Sequence, residues 1–168
     1  HHSPYAEGAA PSPITPYGSA KLAAETAIAT LTPTAVIART SLIVGSDGVS
    51  PQERRVRDLA QRRATGVLFT DDIRCPVHVS DLAAALLELA ATERSGIHHL
   101  AGSDAISRYE MGVLIAQRDG LDASLLQPGT RAGSDSPGPL DVRLDSSATQ
   151  AQLRTRLRGA REFLVKPG

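Results

Sequence analysis

Tryptophan is absent, and Tyr and Phe together make up 3% of the chain. A platform for single-stranded nucleic acid needs repeated aromatic faces for bases to stack on, and this composition does not supply them. Charge of either sign is not in excess: Lys+Arg and Asp+Glu each number 18, so the net charge is zero. Nothing global therefore points to nucleic acid or to an anionic membrane surface. Cysteine occurs once, as Cys75, which excludes an internal disulfide framework. Within an apolar segment it reads as a small core residue, and a lone thiol fits a reducing cytoplasm. No apolar run approaches the ~18 residues that a membrane span needs. No secretory leader is legible, so a cytoplasmic location is expected. A Walker loop, zinc-ligand spacing and G-x-S-x-G are also missing, which sets aside nucleotide triphosphatase, metalloenzyme and serine hydrolase chemistry and leaves no metal expected. The length, 168 residues, is that of one domain with a real core.

What is present centres on Thr15-Pro16-Tyr17-Gly18-Ser19-Ala20-Lys21. Thr15 suits a helix N-cap, and Pro16 suits the first helical position, where its missing N–H would be unsatisfied in any case. Tyr17, Lys21, Ala24, Ile28 and Leu31 follow helical periodicity and are expected to face the body of the protein. A lysine in such a stripe either snorkels to water or has something to bind. Tyr17 is one turn away on the same face. A phenol beside an ammonium ionises more readily, which is what an acid/base group near neutral pH requires.

Downstream, Thr32-Pro33-Thr34 should stop this helix, and Ala35 to Val44 reads as a strand buried on both faces, as in a parallel sheet. Arg39 interrupts that run and needs a partner, either an ion pair or a ligand at the carboxyl end of the strand. A turn is expected over Gly45–Gly48. Ser50-Pro51-Gln52-Glu53 forms a capping box for an Arg-rich helix running to about Ala64, packed through Val56, Leu59 and Ala60 and ended by Gly66. Val67–Thr70 and Ile73–Val79 are expected to pair as a hairpin around Asp71-Asp72, with Pro76 limiting the second strand. Ser80 or Asp81 should cap a helix packed through Leu82, Leu86 and Leu89, ended by Gly96. His78 reads as a satisfied core histidine. Ile97–Ala101 is a strand, so His98 and His99 point to opposite faces and cannot pair on one metal. Ser107–Glu110 caps a helix packed through Met111, Leu114 and Ile115. Residues 120–139 are loop-rich, Asp141–Asp145 is extended, and a last helical stretch carries Phe163 and Leu164.

Taken in order, these stretches resemble the extended short-chain dehydrogenase/reductase family. Tyr17-Gly18-Ser19-Ala20-Lys21 resembles its Y-x-x-x-K helix, and Val36–Gly45 resembles the strand that follows. Arg74-Cys75-Pro76-Val77-His78-Val79-Ser80-Asp81-Leu82-Ala83 is similar to its R-x-x-x-x-V-x-D-L-A segment. Gly96–Gly102 with Ser107–Glu110 resembles the next strand and helix start, and Leu140–Ser146 resembles a late stretch of the dTDP-4-dehydrorhamnose reductase branch. No Gly-rich phosphate loop is present, and the chain starts only 16 residues before Tyr17.

The resemblance therefore implies the C-terminal part of an α/β enzyme with a Rossmann-like doubly wound parallel sheet and a small substrate-binding lobe. The dinucleotide-binding portion would span about 1–65 and 75–102, interleaved with the lobe at about 66–74 and 103–168. It further implies an NAD(P)H-dependent reduction of a nucleotide-linked 4-keto sugar, with NADP or NAD as cofactor. Tyr17 would be the acid/base, Lys21 would lower its pKa and hold the nicotinamide ribose, and Arg74 and Arg39 would bind substrate. Epimerase or dehydratase chemistry uses the same pair. A non-catalytic binding or regulatory module is the reading from a different class, favoured if the Gly-rich loop is truly absent. In that case an exposed sheet edge would invite self-association.

Overall fold

The computed structural model describes residues 4–45, 50–134 and 138–165. The first helix, α1 (Pro16–Leu31), starts as expected: the Thr15 hydroxyl accepts from Gly18 N at 3.1 Å, and Pro16 sits at the first position. It ends where Thr32 N–H donates to Ile28 O. Strands β1 (Val36–Thr40) and β2 (Ile43–Val44) follow, then α2 (Pro51–Ala60), β3 (Leu68–Phe69), β4 (Ile73–Arg74), β5 (Val77–His78), α3 (Val79–Ala90), β6 (Gly96–Leu100), β7 (Ile106–Ser107) and α4 (Arg108–Arg118). A 3-10 turn over Ala123–Leu125, β8 (Pro128–Gly129), α5 (Ser147–Gln150) and α6 (Ala160–Phe163) complete the order.

Pairing is mostly parallel: β1 with β6, β2 with β5, and β3 with β8, while β4 and β7 are antiparallel. Parallel neighbours far apart in sequence require helical crossovers, so this is an α/β fold. Two cores result. One joins α3 to β5 and β6 through Val77, Leu82, Ala85, Leu89, Leu100 and Leu157. The other joins α2, α4, β3 and α6 through Val56, Leu59, Leu68, Met111, Ile115 and Leu164. Gly112 lets α4 settle on β3, because a Cβ there would lie 2.3 Å from a Leu68 methyl.

Both serine caps form. At α2 the Ser50–Glu53 box is reciprocal, and the fully buried Glu53 also takes Arg118 Nη2 at 2.8 Å. At α4, Ser107 accepts from Glu110 N at 3.0 Å.

Several expectations are corrected. The α1 stripe does not face a core: no residue of α1 is buried, and Tyr17, Ile28 and Leu31 are 73%, 45% and 82% exposed. The helix lies over a ladder of only two strands, β1 and β6, and among the described residues nothing pairs with the other edge of β1. For the same reason β1 is not buried on both faces, Ala38 and Thr40 being exposed, and the run breaks before Ile43.

The hairpin over 67–79 does not form. Asp71 instead accepts from the N–H groups of Arg131 and Ala132, so the chain turns a corner there and its two strands find separate partners. Helix α2 stops at Ala60, before Arg62 enters the left-handed region at φ 57°, so Gly66 does not end it. Likewise α3 ends at Ala90, and Gly96 begins β6. The α3 cap is neither Ser80 nor Asp81 but His78, whose Nδ1 accepts from Ser80 N at 3.2 Å. Leu86 is 42% exposed, outside the core that Leu82 and Leu89 enter. The turn expected at Gly45–Gly48 lies largely outside the described residues.

These placements make an asymmetric prediction. Ile115→Ala, at a fully buried site, should lower unfolding free energy by about 2–5 kcal/mol, whereas Leu86→Ala should change it by no more than about 0.5 kcal/mol, as read by denaturant titration.

Candidate active site

A cavity of about 480 Å³ opens beside α1. Tyr17 and Lys21 of α1, Arg39 of β1, His99 of β6 and Arg74 of β4 line it, and the extended segment at Pro139, Val142 and Leu144 closes one side. Arg39 and His99 are register partners in the parallel pair, one residue short of the carboxyl ends of their strands. That end is where open α/β sheets bind ligands. The four residues singled out in the sequence, Tyr17, Lys21, Arg39 and Arg74, thus converge from three separate elements on one space.

Lys21 Nζ lies 5.6 Å from the centroid of the Tyr17 ring, within the ~6 Å range of a cation–π contact. Among the described residues it has no carboxylate in ion-pair reach. Arg39 is engaged: its Nη2 meets Glu25 Oε2 at 2.6 Å, and its Nε is 3.1 Å from both carboxylate oxygens. Glu25 is the next turn of α1 after Lys21, a spacing that was visible in the sequence but was not read.

Arg74 is engaged more fully. Its Nη1 donates to Ile73 O at 2.7 Å and to Leu140 O at 3.2 Å, and its Nη2 donates to Pro139 O at 2.9 Å. The same Nη1 is 2.7 Å from Asp72 Oδ1, an ion pair without hydrogen-bond alignment. Asp72 is fully buried and also meets Arg131 at 2.6 Å and Arg108 at 3.5 Å. Burial pushes the guanidinium pKa of Arg74 and of Arg108 down from its usual value, and the Asp72 charge opposes it. Three cations on one buried carboxylate tie β4, α4 and the loop at 131 together, and Arg74 extends the tie to the cavity wall at Pro139–Leu140. No sequence signal marked Asp72 beyond its place in an expected turn.

The histidines bond to protein atoms. His98 Nδ1 is 3.1 Å from Thr149 Oγ1, whose hydroxyl donates to Glu7. His78 caps α3 and meets the Phe163 ring edge-on at 5.3 Å. His99 is fully buried: its N–H donates to Glu7, and its Nδ1 lies 3.0 Å from Asp145 O. A carbonyl only accepts, so Nδ1 carries the proton and Nε2 is left as a buried lone pair without a partner. Burial pushes the His99 pKa below its ordinary value, with the Asp145 carbonyl and the Glu7 carboxylate opposing. Cys75 is a buried core thiol whose pKa burial raises. Among the described residues no helix is long and apolar enough to cross a membrane.

Parallel strand pairs crossed by helices, with a cavity at the strand carboxyl ends, define an α/β protein of the Rossmann-like class. Residues 1–166 match the family described as RmlD substrate binding domain, and the chain belongs to that family. Similar proteins include the probable low-salt glycan biosynthesis reductase Agl14 of Haloferax volcanii, 32% identical over 155 residues, covering 89% of this chain and 52% of that protein. The dTDP-4-dehydrorhamnose reductase of Mycolicibacterium smegmatis is 30% identical over 169 residues, with coverages of 96% and 50%. The methionine adenosyltransferase 2 subunit beta of Danio rerio is 30% identical over 155 residues, with coverages of 86% and 48%. Among solved structures, MoeE5 in complex with UDP-glucuronic acid and NAD superposes with a TM-score of 0.73 at 25% identity, covering 95% of this chain and 56% of that one. The chain spans about half the length of these relatives.

Two outcomes are expected at this site. Asp72→Asn should cost about 3–5 kcal/mol in denaturant unfolding, because it leaves buried guanidinium groups uncompensated. The second concerns pH. The folded-state pKa of His99 lies below its unfolded value, so the unfolded chain binds the proton more readily and stability rises with pH. The contribution is whole above about pH 6.5 and is lost as the pH falls below it. Thermal melts from pH 7 to 5 should therefore show a falling Tm. His99→Asn, whose amide still donates to Asp145 O, should flatten that slope, and an unflattened slope would clear His99 of the effect.

Proposed function

We propose that this chain carries the proton-transfer and substrate-side groups of an NAD(P)H-dependent oxidoreductase that reduces a nucleotide-linked 4-keto sugar, in the manner of dTDP-4-dehydrorhamnose reductase. The carrying observation is the Tyr17–Lys21 pair, exposed at the rim of a cavity whose walls hold Arg39 and Arg74. Family membership and the reductases among the relatives support the same reading.

In this reading Tyr17 gives its phenolic proton to the carbonyl oxygen as hydride reaches the carbonyl carbon, turning C=O into CH–OH. The Lys21 ammonium stabilises the phenolate left behind, and a proton from solvent restores the phenol. NADP or NAD supplies the hydride when bound. Lys21 suits its ribose hydroxyls, because the ammonium is not spent on a carboxylate. No residues of this chain form a Gly-rich loop for the cofactor diphosphate. Arg39 and Arg74 take the substrate side, Arg74 also fixing the wall at Pro139–Leu140. The residues around α1, β1 and β6 then belong to the dinucleotide-binding portion and those around α4 to the substrate lobe. A reducing cytoplasm suits the buried Cys75 thiol.

Epimerase or dehydratase chemistry would use the same pair. A different reading, a binding or regulatory subunit, is favoured by the methionine adenosyltransferase subunit among the relatives.

Oxidation of NAD(P)H with a dTDP-4-keto sugar separates these. Tyr17→Phe should abolish turnover, a loss of at least about 10²-fold, and leave cofactor binding nearly intact. Unchanged turnover would remove Tyr17 from the mechanism. Cofactor binding without any turnover in the unaltered protein would favour the subunit reading.

A further inference from the structure

Lys21 has a carboxylate neighbour by sequence that it does not use. Glu25 follows it by four residues on α1, the spacing at which a lysine and a glutamate normally meet. Both side chains line the cavity. The carboxylate is nonetheless turned away. Arg39 reaches it from β1 and takes both oxygens, with Nε at 3.1 Å from each and Nη2 at 2.6 Å from Oε2. The pair is partly shielded, with side-chain exposures of 18% for Arg39 and 22% for Glu25. A forked guanidinium outcompetes an ammonium for a carboxylate because its two parallel donors match the two oxygens. The Lys21 ammonium is left over the Tyr17 ring.

We propose that Arg39 is a positioning residue: by holding both oxygens of Glu25 it keeps that carboxylate off Lys21 and leaves the ammonium free for Tyr17 and for a ligand in the cavity. The benefit of a free ammonium rests on the reading under Proposed function, whereas the competition for Glu25 does not. Arg39 acts through Glu25 and Lys21, and only its Nη1 is left over from the Glu25 contact to face a substrate. Without Arg39, Glu25 would turn along the helix to Lys21, placing a negative charge beside the group that must stabilise a phenolate.

The chain has only two lysines, Lys21 and Lys166, so the side-chain resonances of labelled lysine report on Lys21 directly. In Arg39→Met, the Lys21 titration midpoint should move up relative to the unaltered chain by about 0.2–0.4 pH unit, the size that a helical i,i+4 ion pair produces. In the double variant Glu25→Gln/Arg39→Met it should return. Backbone amide signals of α1 serve as the check on folding. If Arg39→Met does not fold, Arg39→Gln, which keeps one donor for Glu25, is read the same way. An unmoved Lys21 midpoint in a folded single variant overturns the proposal, and so does a shift that persists in the double variant. Turnover bears on the reductase reading alone. The stated Lys21 behaviour in a protein without keto-sugar turnover would uphold the role of Arg39 and sink that reading.

Discussion

The carboxylate of Asp72 is the constraint on which the cavity depends. It is fully buried, and a buried charge persists only if it is compensated. Arg74, Arg108 and Arg131 supply the compensation from β4, from the first residue of α4 and from the loop beyond β8. Because each guanidinium has donors to spare, the tie reaches further. Arg74 also holds Pro139 and Leu140, so the extended segment that closes one side of the cavity is hung from a buried ion cluster rather than from a sheet. Such clusters add little net stability over an apolar core, but they fix geometry. Here the fixed geometry is the distance between a wall of the lobe and the helix that carries Tyr17.

The opposite side of the cavity is built on different physics. Helix α1 contributes no buried residue, and its hold on the rest of the described structure runs through half-buried Leu22 and Glu25. The Glu25–Arg39 pair is therefore both a fastening for α1 on β1 and the device that frees Lys21. A parallel strand pair with one open edge gives a helix little to lie on, so polar fastening substitutes for area. That is why a helix of ordinary propensity and sound capping ends with Tyr17 and Leu31 facing solvent.

Local chemistry was legible wherever a single short segment decides the outcome. Thr15-Pro16, Ser50–Glu53 and Ser107–Glu110 each start a helix where their side chains say they should, since capping is settled within four residues. The packing of Val56, Leu59, Met111 and Ile115 followed from periodicity. His78 was legible as satisfied, though not as the cap that displaces Ser80 and Asp81. The pairing of strands was not legible. Val67–Thr70 and Ile73–Val79 look like neighbours, but their partners lie about 60 and about 30 residues downstream. Two-residue ladders carry too little pattern to announce this, and the Asp71 carboxylate that prevents the hairpin works only against backbone N–H groups supplied from residues 131 and 132.

The sequence by itself determined the types of element, their caps and the identity of the groups that converge: a phenol and an ammonium one turn apart, and two arginines on strands. Those properties are set by bonds and contacts within a few residues. Only the tertiary structure decided what each group is free to do. Arg39 is committed to Glu25, Arg74 to Asp72 and to the cavity wall, and His99 keeps a buried lone pair, because commitment depends on which distant donors and acceptors arrive within about 3 Å. Lys21 emerges as the uncommitted cation at the cavity for that same reason: the one acidic residue near it in sequence is held in space by another strand.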